Sequence, residues 1–262
     1  MEQGAGSGQA NCKQIALFEK QPGLHVSMSK AGMTPDLLLL VLAHVTVRHV
    51  TVRRFGHPYS LHKQDPTAFT MIYLRDEVAF ILGFYGLLRR SEIIALKVSD
   101  INIVEASGVG AYIIRIRKSK TDQAGRGEEV IMAGVSRHGV KVGDRIKKWV
   151  NKRRLSSVAN GESPLLPAWK YAGRQLSEEH LKDGQALAGR LKIYLNALKI
   201  KYSLPLDIQY YAIYSLKRGG VIAAWEAGVP RDLLKIHGRW RSEAIEAYLQ
   251  APISLRLKVT GG

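Results

Sequence analysis

The chain has 262 residues, 46% of them hydrophobic, and 39 Lys and Arg against 22 Asp and Glu give a formal charge of +17. That apolar share supplies a sizeable core and excludes wholesale disorder, while the surplus of positive charge points to a polyanionic partner, a nucleic acid or an anionic membrane surface. The single Cys12 excludes an internal disulfide and a cysteine-built zinc site, and the most apolar run, Leu37 to Val47, is too short for a bilayer, which takes about 20 residues.

Residues 1–33 are rich in Gly, Ser and Gln, lack periodicity and carry no basic-then-apolar block of the kind that directs secretion. Thr34-Pro35-Asp36 reads as a helix start with Thr34 as N-cap. The β-branched runs Val45-Thr46-Val47 and Val50-Thr51-Val52 keep helix and strand both open over 34–55. Gly56-His57-Pro58 breaks the chain, and the main domain is expected to begin near Asp65-Pro66. That divides the chain into a leader at 1–66, expected to be partly disordered or the remnant of a further domain, a main domain at 67–255 and a tail at 256–262.

From Ala68 to Leu96 the spacing is helical, with Val78, Ile81, Leu82 and Tyr85 on one face and Leu87 to Arg90 as a turn into a second short helix. Ile101–Glu105, Ala111–Arg117 and Glu128–Ala133 read as strands, separated by turns at Ser107-Gly108 and Asp122–Gly127. A helix from about Lys141 carries the stripe Val142, Ile146, Trp149 and Val150 on an otherwise basic segment. Ser163, Pro164, Pro167 and Trp169 mark a loop, and Ser177 and Glu178 open a segment leading to a helix. That helix sets Leu187, Leu191, Tyr194, Leu195 and Leu198 on one side and is stopped at Leu204-Pro205. Three short helices close the chain: Tyr214–Glu226, Arg231–Ile236, and one opened by Ser242 that bears Tyr248. The pattern predicts a mainly α fold with a small three-stranded antiparallel sheet, an α+β domain.

The last third is dense in reactive side chains. A tyrosine attacking a DNA phosphodiester builds negative charge on the non-bridging oxygens, and fixed cations must meet it there. Guanidinium suits that task through its planar, always-charged fork. An acid must also protonate the departing 5′-oxygen, and a base must help ionise a phenol whose free pKa is near 10. Arg89 at a helix junction, Lys120 in a turn between strands, Tyr214 and Lys217 on one helix face, Arg239 and Trp240 in a turn and Tyr248 beyond it supply the parts. Spacing alone does not bring them together.

Four boxes in order do resemble the catalytic domain of the tyrosine recombinase (phage integrase) family. Gly86-Leu87-Leu88-Arg89-Arg90-Ser91-Glu92-Ile93 resembles its Gly-Leu-Arg-x-Ser-Glu-Leu box, and Lys120-Thr121-Asp122 its hairpin element. Tyr214-Ser215-Leu216-Lys217-Arg218-Gly219-Gly220 is similar to His-Ser-Leu-Arg-Arg-Gly-Gly. Gly238-Arg239-Trp240-Arg241-Ser242 resembles the third box, and Tyr248 falls at the nucleophile's place. The resemblance implies DNA strand breakage and rejoining, in integration or another site-specific recombination, through a 3′-phosphotyrosine intermediate. In it Arg89 and Lys217 hold the phosphate, Lys120 protonates the leaving oxygen, Tyr214 assists proton transfer, and Arg239 or Trp240 contacts the phosphate. It implies no metal or other cofactor, double-stranded DNA as partner, assembly as a tetramer on paired sites, no membrane, and a nuclear or nucleoid location according to the host.

Two positions depart from the family. Tyr214 stands where it has His, and Lys217 where it has its second arginine, and a point-like ammonium cannot reproduce a bidentate clasp. A recombinase-like protein that binds DNA without cutting it is therefore the alternative. A metal-dependent nuclease built on Asp100, Asp122 and Asp207 is a third reading from another class, although those carboxylates lack a recognisable ligand spacing.

Overall fold

Helix α1 (Pro35–Phe55) is followed by α2 (Pro66–Phe84) and the short α3 (Arg90–Ala95). The computed structural model describes residues 32–55, 66–106, 109–119, 122, 125–155, 161–170, 175–182 and 184–249. Residues 71–84 of α2 are buried without interruption, so this helix is the axis on which the other elements pack. Its burial extends to Arg75, Asp76 and Glu77, and each of these charges has partners. The Asp76 carboxylate accepts from Arg75, from Arg190 Nε at 2.6 Å and from the Tyr194 hydroxyl at 2.8 Å, while Glu77 pairs with Arg145. A charge left alone there would be prohibitively costly, and the paired set is tolerated.

Strands β1 (Ile101–Ala106), β2 (Val109–Ile116) and β3 (Glu128–Ala133) form the expected antiparallel sheet in the order β1-β2-β3. Ile114 pairs with Ile101 on one side and Val130 on the other, and all three turn into the core. Helix α4 (Val142–Leu155) buries Val142, Ile146, Trp149 and Val150, with the Trp149 indole N–H on the Leu165 carbonyl at 2.8 Å.

Next come β4 (Pro167–Lys170), β5 (Gln175–His180) and α5 (Gln185–Tyr202). The apolar side read for α5 (Leu187, Leu191, Tyr194, Leu195, Leu198) is its buried face. Helices α6 (Ile213–Glu226) and α7 (Arg231–His237) follow at the places expected.

Three local readings change. Thr34–Phe55 resolves to a helix entry and a helix: Thr34 Oγ1 caps the Leu37 amide at 3.2 Å, and Leu37, Leu38, Val41, Leu42 and Val45 are buried at helical spacing. These residues share one core with α2 and α5, so α1 packs into the body that was expected to begin near residue 66. The loop expected at 163–169 and the helix approach at Ser177 and Glu178 instead hold a two-stranded antiparallel hairpin, β4 on β5. Its strands are short and β5 is polar, so no alternation announced it. The third C-terminal helix is a 3₁₀ segment, Glu243–Ala247, capped by Ser242 Oγ on the Ala244 amide and ending on Tyr248. Among the described residues no helix is long and apolar enough to cross a membrane.

Candidate active site

Two consecutive glycines let the second box approach its neighbours. A Cβ on Gly219 would stand 1.7 Å from the Met33 carbonyl oxygen, and one on Gly220 would stand 2.0 Å from that of Phe84. Helix α6 therefore lies directly on the α1 entry and on the end of α2, where the Met33 amide also bonds the Ser215 carbonyl at 2.9 Å. This contact brings Lys217 beneath the Leu87–Arg89 turn.

That turn and the one after α7 share an uncommon feature. Among the described residues, the non-glycine positions with positive φ are Leu87 (50°), Ser203 (51°) and Arg239 (59°), and two of the three are here. A left-handed conformation costs roughly 1–2 kcal/mol for a residue with a Cβ, so each turn must be held by its surroundings.

Glu92 is the hub. It is 2% exposed, and its carboxylate accepts from the Arg89 amide at 2.7 Å, from Arg89 Nη1 at 2.9 Å and from Arg239 Nη2 at 2.6 Å. Burial alone would raise its pKa, but Arg239, the Arg89 amide, Lys217 and Arg89 together take it below the ordinary range, so it is an anion. Arg239 also donates to the carbonyls of His237 at 3.1 Å and Leu87 at 3.4 Å, and its buried Nε–H has no partner. Burial lowers the pKa of Arg239, opposed by Glu92.

Lys217 is fully buried. Its amine donates to the Leu87 carbonyl at 2.7 Å and the Gly238 carbonyl at 3.1 Å, and lies 4.3 Å from the centre of the Trp240 ring. Burial, then Arg89 and Arg239, push it down to about 6 against the pull of Glu92. The lysine expected to hold phosphate thus spends its donors on the protein's own backbone.

Trp240 packs with Leu87, Val221, Leu234, Ile245 and Leu249. Its ring meets that of Tyr248 at 5.2 Å, and Tyr248 in turn meets Tyr214 at 5.9 Å. Burial and then the hydrogen bond with Tyr214 raise the Tyr248 pKa, while the positive charges of Arg89 and Arg218 oppose them. His237 Nε2 bonds the Tyr85 carbonyl at 2.9 Å, and burial lowers its pKa, which fits a structural post at the end of α7.

The structure therefore gathers Arg89, Tyr214, Lys217, Arg239, Trp240 and Tyr248 from three separate stretches. Lys120 lies outside the described residues. Glu92 stood in the sequence only as part of the Gly86–Ile93 box, and nothing in the chain marked it as the shared partner of two guanidiniums. The acids of the metal-nuclease reading are dispersed and engaged. Asp100 accepts from the Lys97 amide and Arg117, Asp122 from the Gly127 amide, and Asp207 caps a 3₁₀ turn. Among the described residues no group of three His, Cys, Asp or Glu is placed to hold a metal ion.

No family model matches the chain. An integrase/recombinase xerD homolog from Selenomonas ruminantium is 30% identical over 130 residues, covering 44% of this chain and 37% of that protein. Among solved structures, the XerH site-specific recombinase bound to a palindromic difH substrate in a post-cleavage complex superposes with a TM-score of 0.55 at 13% identity, covering 88% of this chain and 51% of the other. XerA recombinase gives 0.53 at 13% identity over 91% of this chain and 65% of its own. The chain thus spans about half to two thirds of these structures and little more than a third of the curated relative. Its architecture, mostly helical with one three-stranded antiparallel sheet, is the tyrosine-recombinase catalytic fold.

Proposed function

We propose that this chain breaks and rejoins double-stranded DNA as tyrosine recombinases do. The observation that carries the reading is the convergence on Glu92 of Arg89 and Arg239, which are 150 positions apart, with the positive charge of Arg89 bearing on the Tyr248 phenol. Tyr248 Oη attacks the phosphorus, the bond from phosphorus to the 5′-oxygen breaks, and the products are a 3′-phosphotyrosine and a 5′-hydroxyl. The phenol proton leaves through Tyr214, and Lys120, by resemblance, returns one to the departing oxygen. Rejoining runs the same steps backward with an incoming 5′-hydroxyl. The relatives named for recombination, one of them bound to its DNA substrate, support DNA as the partner.

A second reading keeps the DNA and drops the cutting. It is favoured by the raised Tyr248 pKa and by Lys217 in place of a guanidinium. Incubation with a pool of nicked suicide duplexes of randomised sequence separates the two. Strand transfer requires a covalent protein–DNA adduct that disappears in Tyr248→Phe. Binding without any adduct from the parent chain would leave the second reading standing.

A further inference from the structure

The site's cations have unequal duties. Leu87 and Gly238, the two carbonyls that receive the Lys217 amine, belong to the two left-handed turns, for Leu87 is itself left-handed and Gly238 immediately precedes left-handed Arg239. Each turn delivers a guanidinium: the first leads to Arg89 two residues on, the second is Arg239 itself. The two turns lie about 150 positions apart in the chain, and Lys217 donates to both from a third stretch, alongside the bonds of Arg239 to the Leu87 and His237 carbonyls.

We propose that Lys217 is a positioning residue that staples the Leu87 and Gly238 turns together, leaving Arg89 to meet the scissile phosphate. The assignment rests on the strand-transfer reading above. Exposure supports it: the Arg89 side chain is 22% open to solvent, whereas Lys217 is at 0%. Donor supply supports it too, since Lys217 is already engaged by two carbonyls and an indole face. The charged or titratable groups that bear on the amine are Arg89, Arg239, Glu92 and His237. Burial and the two guanidiniums outweigh Glu92, so at neutral pH the amine is mostly uncharged, and a neutral amine still has N–H bonds for both carbonyls.

Two measurements test this, one without DNA. In amide hydrogen exchange on the free protein, Lys217→Met should raise exchange in both 85–92 and 237–242, because both turns lose their tie. Unchanged exchange in the two segments overturns the staple. The second compares adduct formation on duplexes carrying an ordinary or a methylphosphonate linkage at the scissile position. The methylphosphonate removes the charge a phosphate ligand must neutralise, so Arg89→Met should regain activity on it relative to phosphate. Lys217→Met should fall about 10²-fold on both, as a misplaced site does. Selective recovery of Lys217→Met on the methylphosphonate would make it a phosphate ligand after all. Should Lys217→Met not fold, Lys217→Gln carries the same measurements with the same two outcomes. A parent chain that forms no adduct refutes strand transfer, and the exchange arm still decides the staple.

Discussion

At the scale of single residues, the site is a negotiation over where charge sits. Glu92 is an anion because two guanidiniums and an amide outweigh the cost of burying it, and Lys217 is driven the other way. The sign of the Lys217 effect is testable. Its folded value of about 6 lies below the ordinary lysine value near 10.4, so between those limits the unfolded chain binds more protons and stability rises with pH. The melting temperature of the parent relative to Lys217→Met should therefore climb from pH 6 to pH 9. A flat or falling difference would mean that the amine is buried as a cation. Tyr214 offers a second handle, since its hydrogen bond raises the Tyr248 pKa. In Tyr214→Phe, the alkaline rise of the proposed adduct formation should move to lower pH, and a shift upward would remove Tyr214 from contact with Tyr248.

At the scale of elements, the site depends on two close approaches. Helix α6 reaches the end of α2 only because position 220 has no side chain, and a methyl there would overlap the Phe84 carbonyl. Gly220→Ala should cost about 1–3 kcal/mol in urea unfolding, the usual range for overpacking. It should also lower DNA cleavage, since the Leu87 turn lies immediately beyond Phe84. Helix α1 is part of the same body, with Leu38 at 0% exposure in the shared core. Leu38→Ala should cost about 2–5 kcal/mol. A variant as stable as the parent would detach α1 from the core.

At the scale of the whole molecule, a charge of +17 would make the proposed encounter with DNA chiefly a matter of counterion release. Fluorescence anisotropy against a random duplex should give an affinity that falls linearly with log salt and collapses between 50 and 200 mM, by about 10³-fold or more if six or more phosphates are met. Binding indifferent to salt would mean that the basic surface is merely solvated.

Local pattern carries far in this chain. The period of α5, the alternation of β1 to β3 and the Ser242 cap act within a few residues, and each was legible, as were the four boxes, each a short run. So was the inventory of the site, down to the odd Tyr214 and Lys217. How those parts are used depended on packing. Helix or strand at 34–55 was settled by burial against α2 and α5, and the polar β4–β5 pair by backbone bonding between neighbouring strands. The contacts of Lys217 with the Leu87 carbonyl and of Arg239 with the Glu92 carboxylate join residues more than a hundred positions apart. The physical reason is that a side chain's partner, burial and charge are properties of the packed site, and none of them is carried by the residue alone.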